Sequence, residues 1–166
     1  MSSTDWASGP CAIGRAASVL GDRWSLLILR NAMLGHTRFD QFKKNLGIAD
    51  NILSNRLSKL VDEGLLVRED YDDGARVRQH YRLTRAGAEF RTVLEALARW
   101  GQENARPEAA EEPMEVIHVT CGTALDDGRF CPTCNTAVGG ADVAWMMPWF
   151  SEAPVPLAAP IEAVRG

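Results

Sequence analysis

Apolar residues recur at helical spacing through most of the first hundred positions, and the rhythm then changes. Across residues 13–33, Ala16, Leu20, Trp24, Leu27 and Leu29 fall close to a 3.6-residue period, which predicts a helix. Gly21-Asp22 interrupts that run, so two helices meeting near residue 21 fit it as well. Leu34-Gly35-His36-Thr37 predicts a turn, with Thr37 placed to cap a short helix carrying Phe39, Phe42 and Leu46 on one face. Gly47 closes that helix. A second helix over residues 50–63 turns Leu53, Leu57, Leu60 and Val61 inward, and Gly64 stops it.

Residues 65–71 have the β-branched and aromatic content of a strand. Asp72-Asp73-Gly74 predicts a hairpin turn, and residues 76–83 alternate as a return strand. Thr84 is placed to cap a last helix over 85–103, with Phe90, Val93, Leu94, Leu97 and Trp100 as its apolar positions. These elements define a first unit, residues 1–104. An acidic stretch with two prolines, 105–115, reads as a linker. A compact Cys-containing piece follows at 116–150. The end, 151–166, holds Pro154, Pro156 and Pro160 and predicts no regular structure.

Helix, short helix, tight turn, helix, hairpin and long helix in that order describe a helix-turn-helix with a wing, a mainly α (α+β) fold. In such a motif the second helix enters the major groove of DNA, so one face must pack and the other must offer hydrogen-bonding side chains. Leu53, Leu57 and Leu60 supply the packing face, and Asn51, Ser54, Asn55, Ser58 and Lys59 the polar one. Asn suits bidentate contact with adenine, and Ser hydroxyls contact several groups. Arg38, Lys43 and Arg56 add positive charge nearby, while Arg76 and Arg78 alternate onto one side of the hairpin, suited to phosphate. The acidic tip Asp70-Tyr71-Asp72-Asp73 runs against this, so either it points away from DNA or only the arginines touch it.

The net charge of −4 argues at first against nucleic acid. Its distribution changes that picture: 15 Lys/Arg stand against 13 Asp/Glu through Asn104, and 3 against 9 beyond it. No apolar run reaches the ~20 residues of a membrane span, and the first residues lack a secretion-signal pattern. A cytoplasmic location with no membrane partner is the expectation. No phosphate loop, nucleophile motif or paired carboxylates point to an enzyme.

Four cysteines are present. In a reducing compartment, clustered cysteines suggest metal or redox chemistry before structural disulfides. Two residues separate His118 from Cys121, and two separate Cys131 from Cys134. Gly122 and Asn135 follow the second ligand of each pair, and both types tolerate the positive φ that a metal knuckle needs. Asp126-Asp127-Gly128 predicts a turn that brings the pairs together. One His and three Cys make a closed tetrahedral zinc site, structural because no position is left for water. A Cys131–Cys134 redox pair and a site without metal are the alternatives. The apolar run at 143–150 reads as packing surface, or as a wall for an apolar effector. His36 and His80 have no sequence partner and read as surface or turn residues.

Five ordered blocks then carry a resemblance. Residues 17–30 (ASVLGDRWSLLILR), preceded by Cys11, are followed by Arg38-Phe39-Asp40-Gln41-Phe42 and residues 51–57 (NILSNRL). Glu63-Gly64-Leu65-Leu66 and residues 81–87 (YRLTRAG) complete the series. Over residues 10–101 the chain resembles HxlR-type transcriptional regulators. The resemblance implies a winged-helix homodimer joined through its terminal helices, a near-palindromic double-stranded DNA operator, and often repression. It also implies that Cys11 stands where some members sense oxidants or electrophiles, although Ala12 replaces the proline common after that cysteine. Cys11 read by itself fits a small buried apolar residue, where free Cys is common. Two functions stay open: a regulator answering a small molecule or redox signal, and an adaptor that binds protein through the acidic tail and ribbon.

Overall fold

A computed structural model of the chain describes residues 6–72, 74, 77–105 and 112–161. The interruption at Gly21-Asp22 separates two helices, α1 (Ala12–Leu20) and α2 (Arg23–Met33). Asp22 makes the break: its carboxylate accepts from the Trp24 and Ser25 amides, each at 3.0 Å, and from the Ser25 hydroxyl at 2.6 Å. An N-cap of this kind starts a helix afresh. Helices α3 (Phe39–Leu46) and α4 (Asp50–Asp62) follow, joined by a turn in which Gly47 is left-handed. Thr37 is not the cap of α3. Arg38 holds that position, and Gln41 Oε1 reaches back to accept from the amides of Thr37 and Arg38, each at 2.9 Å. The Thr37 hydroxyl instead meets His80 Nδ1 at 2.9 Å. His80 is accordingly a half-buried residue with a partner, and it stacks on Tyr71 with ring centroids 4.0 Å apart.

Strands β1 (Leu66–Asp72) and β2 (Val77–Leu83) form the antiparallel hairpin, paired from Leu66↔Leu83 to Asp72↔Val77. The periodicity after Thr84 predicts one helix. The structure has two, α5 (Arg85–Glu89) and α6 (Arg91–Asn104), meeting at Phe90. The Phe90 amide bonds the Gly87 carbonyl three residues back, which tightens that turn and lets α6 leave in a new direction. Ile28, Leu29, Met33, Phe42, Leu53, Leu57, Leu60, Leu66 and Leu83 form one buried core beneath these elements.

The C-terminal part is a four-stranded antiparallel sheet of order β4-β3-β7-β8, built from β3 (Glu115–His118), β4 (Ala124–Leu125), β7 (Val143–Met146) and β8 (Val155–Pro156). A separate two-stranded ladder joins β5 (Phe130–Cys131) to β6 (Thr136–Ala137). The tail, expected to be irregular throughout, thus supplies an edge strand. It then runs back over the first unit, where the Ala158 amide bonds Met33 O at 2.8 Å and the Ile161 amide bonds Leu83 O at 3.0 Å. The short prolines-and-alanines segment gave no strand pattern because only two of its residues pair.

Trp145 and Met147 belong to the core of the first unit, so the apolar run at 143–150 is in good part packing surface. Trp145 Nε1 donates to Glu95 Oε1 of α6 at 2.9 Å. Arg91, one turn earlier, bonds both Glu95 oxygens at 2.9 Å and the Gly128 carbonyl at 3.0 Å. Gly128 has φ +66°, and a Cβ there would lie 2.4 Å from Glu95 Oε2, so the turn comes closer than any other residue allows. Burial pushes the Glu95 carboxyl above its ordinary range, although Trp145 and Arg91 pull it down. Glu95→Ala leaves the Arg91 cation buried without its partner and the indole N–H without an acceptor. The expected loss is about 3–5 kcal/mol, read as a lower midpoint of urea unfolding; a loss under about 1 kcal/mol would show the pair to be incidental.

Candidate functional site

Helix α4 presents two faces. Leu53, Leu57 and Leu60 are fully buried, while Asn51, Ser54, Asn55 and Ser58 are exposed. Spacings of three and four residues place those four polar side chains on one stripe. The charged candidates are held more tightly. Arg56 Nε lies 3.1 Å from Asp22 Oδ1, Lys59 Nζ donates to Ser18 O at 2.8 Å, and Lys43 Nζ lies 2.7 Å from Asp50 Oδ1. Arg38 is exposed and 3.6 Å from Asp40. Arg38, Ser54 and Arg78 come together with Tyr71 and Gln79 around one cleft of about 560 Å³ between the helices and the hairpin. Arg76 lies outside the described residues. At the hairpin tip, Asp72 accepts from the Gly74 amide at 2.8 Å, so its charge is used within the turn.

Asp22 therefore serves two helices, capping α2 and pairing with α4. Burial raises its pKa, but the Ser25 hydroxyl and amide, Arg56 and the Trp24 amide outweigh this and hold it below the ordinary carboxylate value.

Cys11 is exposed at the start of α1, where its Sγ accepts from the Gly14 amide at 3.3 Å. The Arg15 guanidinium, one turn on, is spent on Gly9 O at 2.8 Å rather than on the thiol. In the single chain Cys11 is exposed.

In the C-terminal part, His118, Cys121, Cys131 and Cys134 converge with all their ligand atoms within 4.8 Å of one another. His118 Nδ1 is 3.2 Å and Cys131 Sγ 3.5 Å from Cys121 Sγ. A tetrahedral ion with metal–sulfur bonds of ~2.3 Å separates its ligand atoms by roughly 3.8 Å, so the donor set can hold a metal. The local backbone is built for this. His118 ends β3, Cys131 ends β5, and Gly122 (φ +73°) and Asn135 (φ +52°) turn the chain immediately after Cys121 and Cys134. The Cys134 amide donates to Cys131 Sγ at 3.4 Å. The Thr123 hydroxyl, 3.2 Å away, and then its amide draw the Cys121 thiol down to about 6. Cys134 is pushed up to about 11, first by its contact with Cys121 and then by burial. A metal bound there would displace thiol protons.

The sequence missed the Arg91–Glu95–Trp145 network. Its i,i+4 spacing was the available signal, but on a helix with so many exposed residues it reads as a surface pair.

A helix-turn-helix with an exposed polar stripe on its second helix and a β-hairpin wing defines a transcription regulator of the winged-helix class. The HxlR-like helix-turn-helix model matches residues 19–109, and the chain belongs to that family. It is 40% identical over 133 residues to the uncharacterized HTH-type transcriptional regulator Rv3095 of Mycobacterium tuberculosis, covering 80% of this chain and 82% of that one. Among solved structures, the candidate transcription factor PA1607 superposes with a TM-score of 0.67 at 32% identity, over 84% of this chain and 96% of that one. That coverage is more than the winged-helix residues alone can supply, so the fold of the C-terminal extension is shared in part. The transcriptional regulator YodB of B. subtilis, in its reduced form, matches 98% of its own length but only 60% of this chain, at 27% identity and a TM-score of 0.51. Among the described residues no helix is long and apolar enough to cross a membrane.

Asp22→Ala removes a cap and frees Arg56. At pH 7 it should lower stability by about 1–2 kcal/mol. Because the folded pKa of Asp22 is depressed, the contribution is present above its unfolded value and disappears as pH falls through the folded one. Thermal melts of wild type and variant should therefore differ fully above about pH 4 and draw together only as pH falls below it; a gap that does not narrow on acidification contradicts the assignment.

Proposed function

We propose that this protein is a homodimeric, sequence-specific operator-binding regulator, acting as a repressor, with α4 in the major groove and the wing on the adjacent backbone. The observation that carries this reading is the exposed stripe Asn51, Ser54, Asn55 and Ser58, backed by a fully buried leucine face. Arg38, Lys43, Arg56, Lys59, Arg76 and Arg78 are the candidates for phosphate contact. Those already paired within the chain would exchange a carboxylate or carbonyl for phosphate, which adds to the salt dependence of binding.

Dimerisation through the terminal helices is supported by what they expose. In α1 only Leu20 is buried, and Ile13 is 81% exposed. Val93, Leu97 and Trp100 of α6 are 44%, 46% and 61% exposed at spacings of four and three residues, which makes one apolar stripe. Such a stripe is covered in a stable regulator. In a two-fold assembly it brings two copies of α4 to one side of the DNA.

The Cys/His cluster holds one structural zinc ion in this proposal. Zinc suits three thiolates and one imidazole in a closed tetrahedron, and it leaves no open position for catalysis. Cys11, exposed at the start of α1, is the candidate redox sensor; a small-molecule effector is the other candidate signal.

The test is a gel-shift titration on the operator found by mapping genomic binding sites. Replacing Asn51 and Asn55 together by Ala should weaken specific binding by about 10- to 100-fold while nonspecific binding persists, as loss of base contacts requires. Unchanged specific affinity in a folded dimer would refute the placement of α4. Protein purified without chelator should carry about one zinc per chain, and Cys131→Ser should lose it and melt at lower temperature. Metal analysis well below one equivalent in wild type would reject the zinc assignment.

A further inference from the structure

A cavity of about 540 Å³ opens where the winged helix, the Gly140-Ala141 turn and the returning tail meet. Met33, Leu83 and Leu157 form apolar walls, and Ala88, Ala158 and Ala159 leave the space because their side chains stop at Cβ. The volume falls in the range that takes a small organic molecule, and so does the pattern of mostly apolar walls with few polar groups.

The polar group that matters is Arg91, whose side chain is only 9% exposed and which also lines the cavity. A guanidinium has five N–H donors in a planar fork. Among the described residues Nη1 makes all the hydrogen bonds of Arg91, to Glu95 and to the Gly128 carbonyl. The Nε–Nη2 edge has no protein acceptor there. A guanidinium carries its charge at any physiological pH. Glu89 lines the same cavity, but it is exposed and its carboxylate is held by Arg85 Nε at 2.9 Å. Its charge therefore faces water and a cation of its own.

We infer that this cavity binds a small apolar monocarboxylate. Its hydrocarbon or aromatic part packs on Met33, Leu83 and Leu157, and its carboxylate takes the open edge of Arg91 in a two-point contact. Arg91 already ties the C-terminal turn to α6, so a bound carboxylate would share the residue that joins the two parts of the chain. The regulatory meaning of the site rests on the effector-responsive reading above; binding itself does not.

The test uses the full chain purified without chelator, titrated calorimetrically with 4-phenylbutyrate and octanoate and with the matching uncharged amides. At least one acid should bind, with its amide about tenfold or more weaker. Arg91→Lys keeps the charge but loses the fork and should weaken the acid about tenfold. Ala159→Trp fills the cavity from an exposed position and should abolish binding while the fold is kept. No binding by either acid overturns the assignment. So does equal binding of the amides, or wild-type affinity in Ala159→Trp. The same preparations are then assayed on the operator. A change in operator affinity with acid bound supports the effector role. An unchanged affinity with binding intact overturns that role and leaves the site standing, whereas a chain that binds the acid but no operator overturns the regulator reading alone.

Discussion

The joint between the two parts of this protein is a buried ion pair that lies within a single helix. Arg91 and Glu95 sit one turn apart on α6, and neither could remain charged inside the protein with only the other for company. The C-terminal part completes them. Gly128 offers a carbonyl to Arg91, and Trp145 offers an indole N–H to Glu95. The sheet is thereby fixed at two points, one in a turn and one in a strand, and its largest side chain becomes part of the winged-helix core. Bonds of this kind are directional as well as stabilising, so they set the angle of approach and not only the affinity.

The remainder of the C-terminal part could not hold itself together by packing. Leu125, Cys131, Val138 and Val143 are its own buried cluster, and four of its strands are two residues long. A piece of that size requires a further constraint. The convergence of His118 with three cysteines offers one. Chelation and the ion pair would together define the sheet.

Much of the winged helix was legible because period, caps and turns agree with one another. Leu53, Leu57 and Leu60 fixed the inward face of α4, and with it the outward one. Gly47, Gly64 and Gly122 marked reversals that need left-handed backbone, and all three have positive φ. The convergence of His118 with Cys121, Cys131 and Cys134 was readable from spacing alone. What escaped was decided by distant partners. Thr37 looked like a cap, but the longer Gln41 side chain reached the same amides. The helix after Thr84 looked continuous because the bend at Phe90 keeps the apolar period. Lys59 looked free for phosphate, since nothing nearby in sequence shows that Ser18 O lies beside it. The strand at Val155–Pro156 depends on β7, ten residues earlier, and short edge strands carry no period of their own.

The contact between Lys59 and Ser18 has a further consequence. Ser18 belongs to α1, the helix that begins at Cys11, whereas Lys59 belongs to the last turn of α4. A tilt of α1 that moves the Ser18 carbonyl by more than a hydrogen bond tolerates must either drag that ammonium along or release it to solvent. Helices α4 and α1 are thus geared together by one flexible side chain.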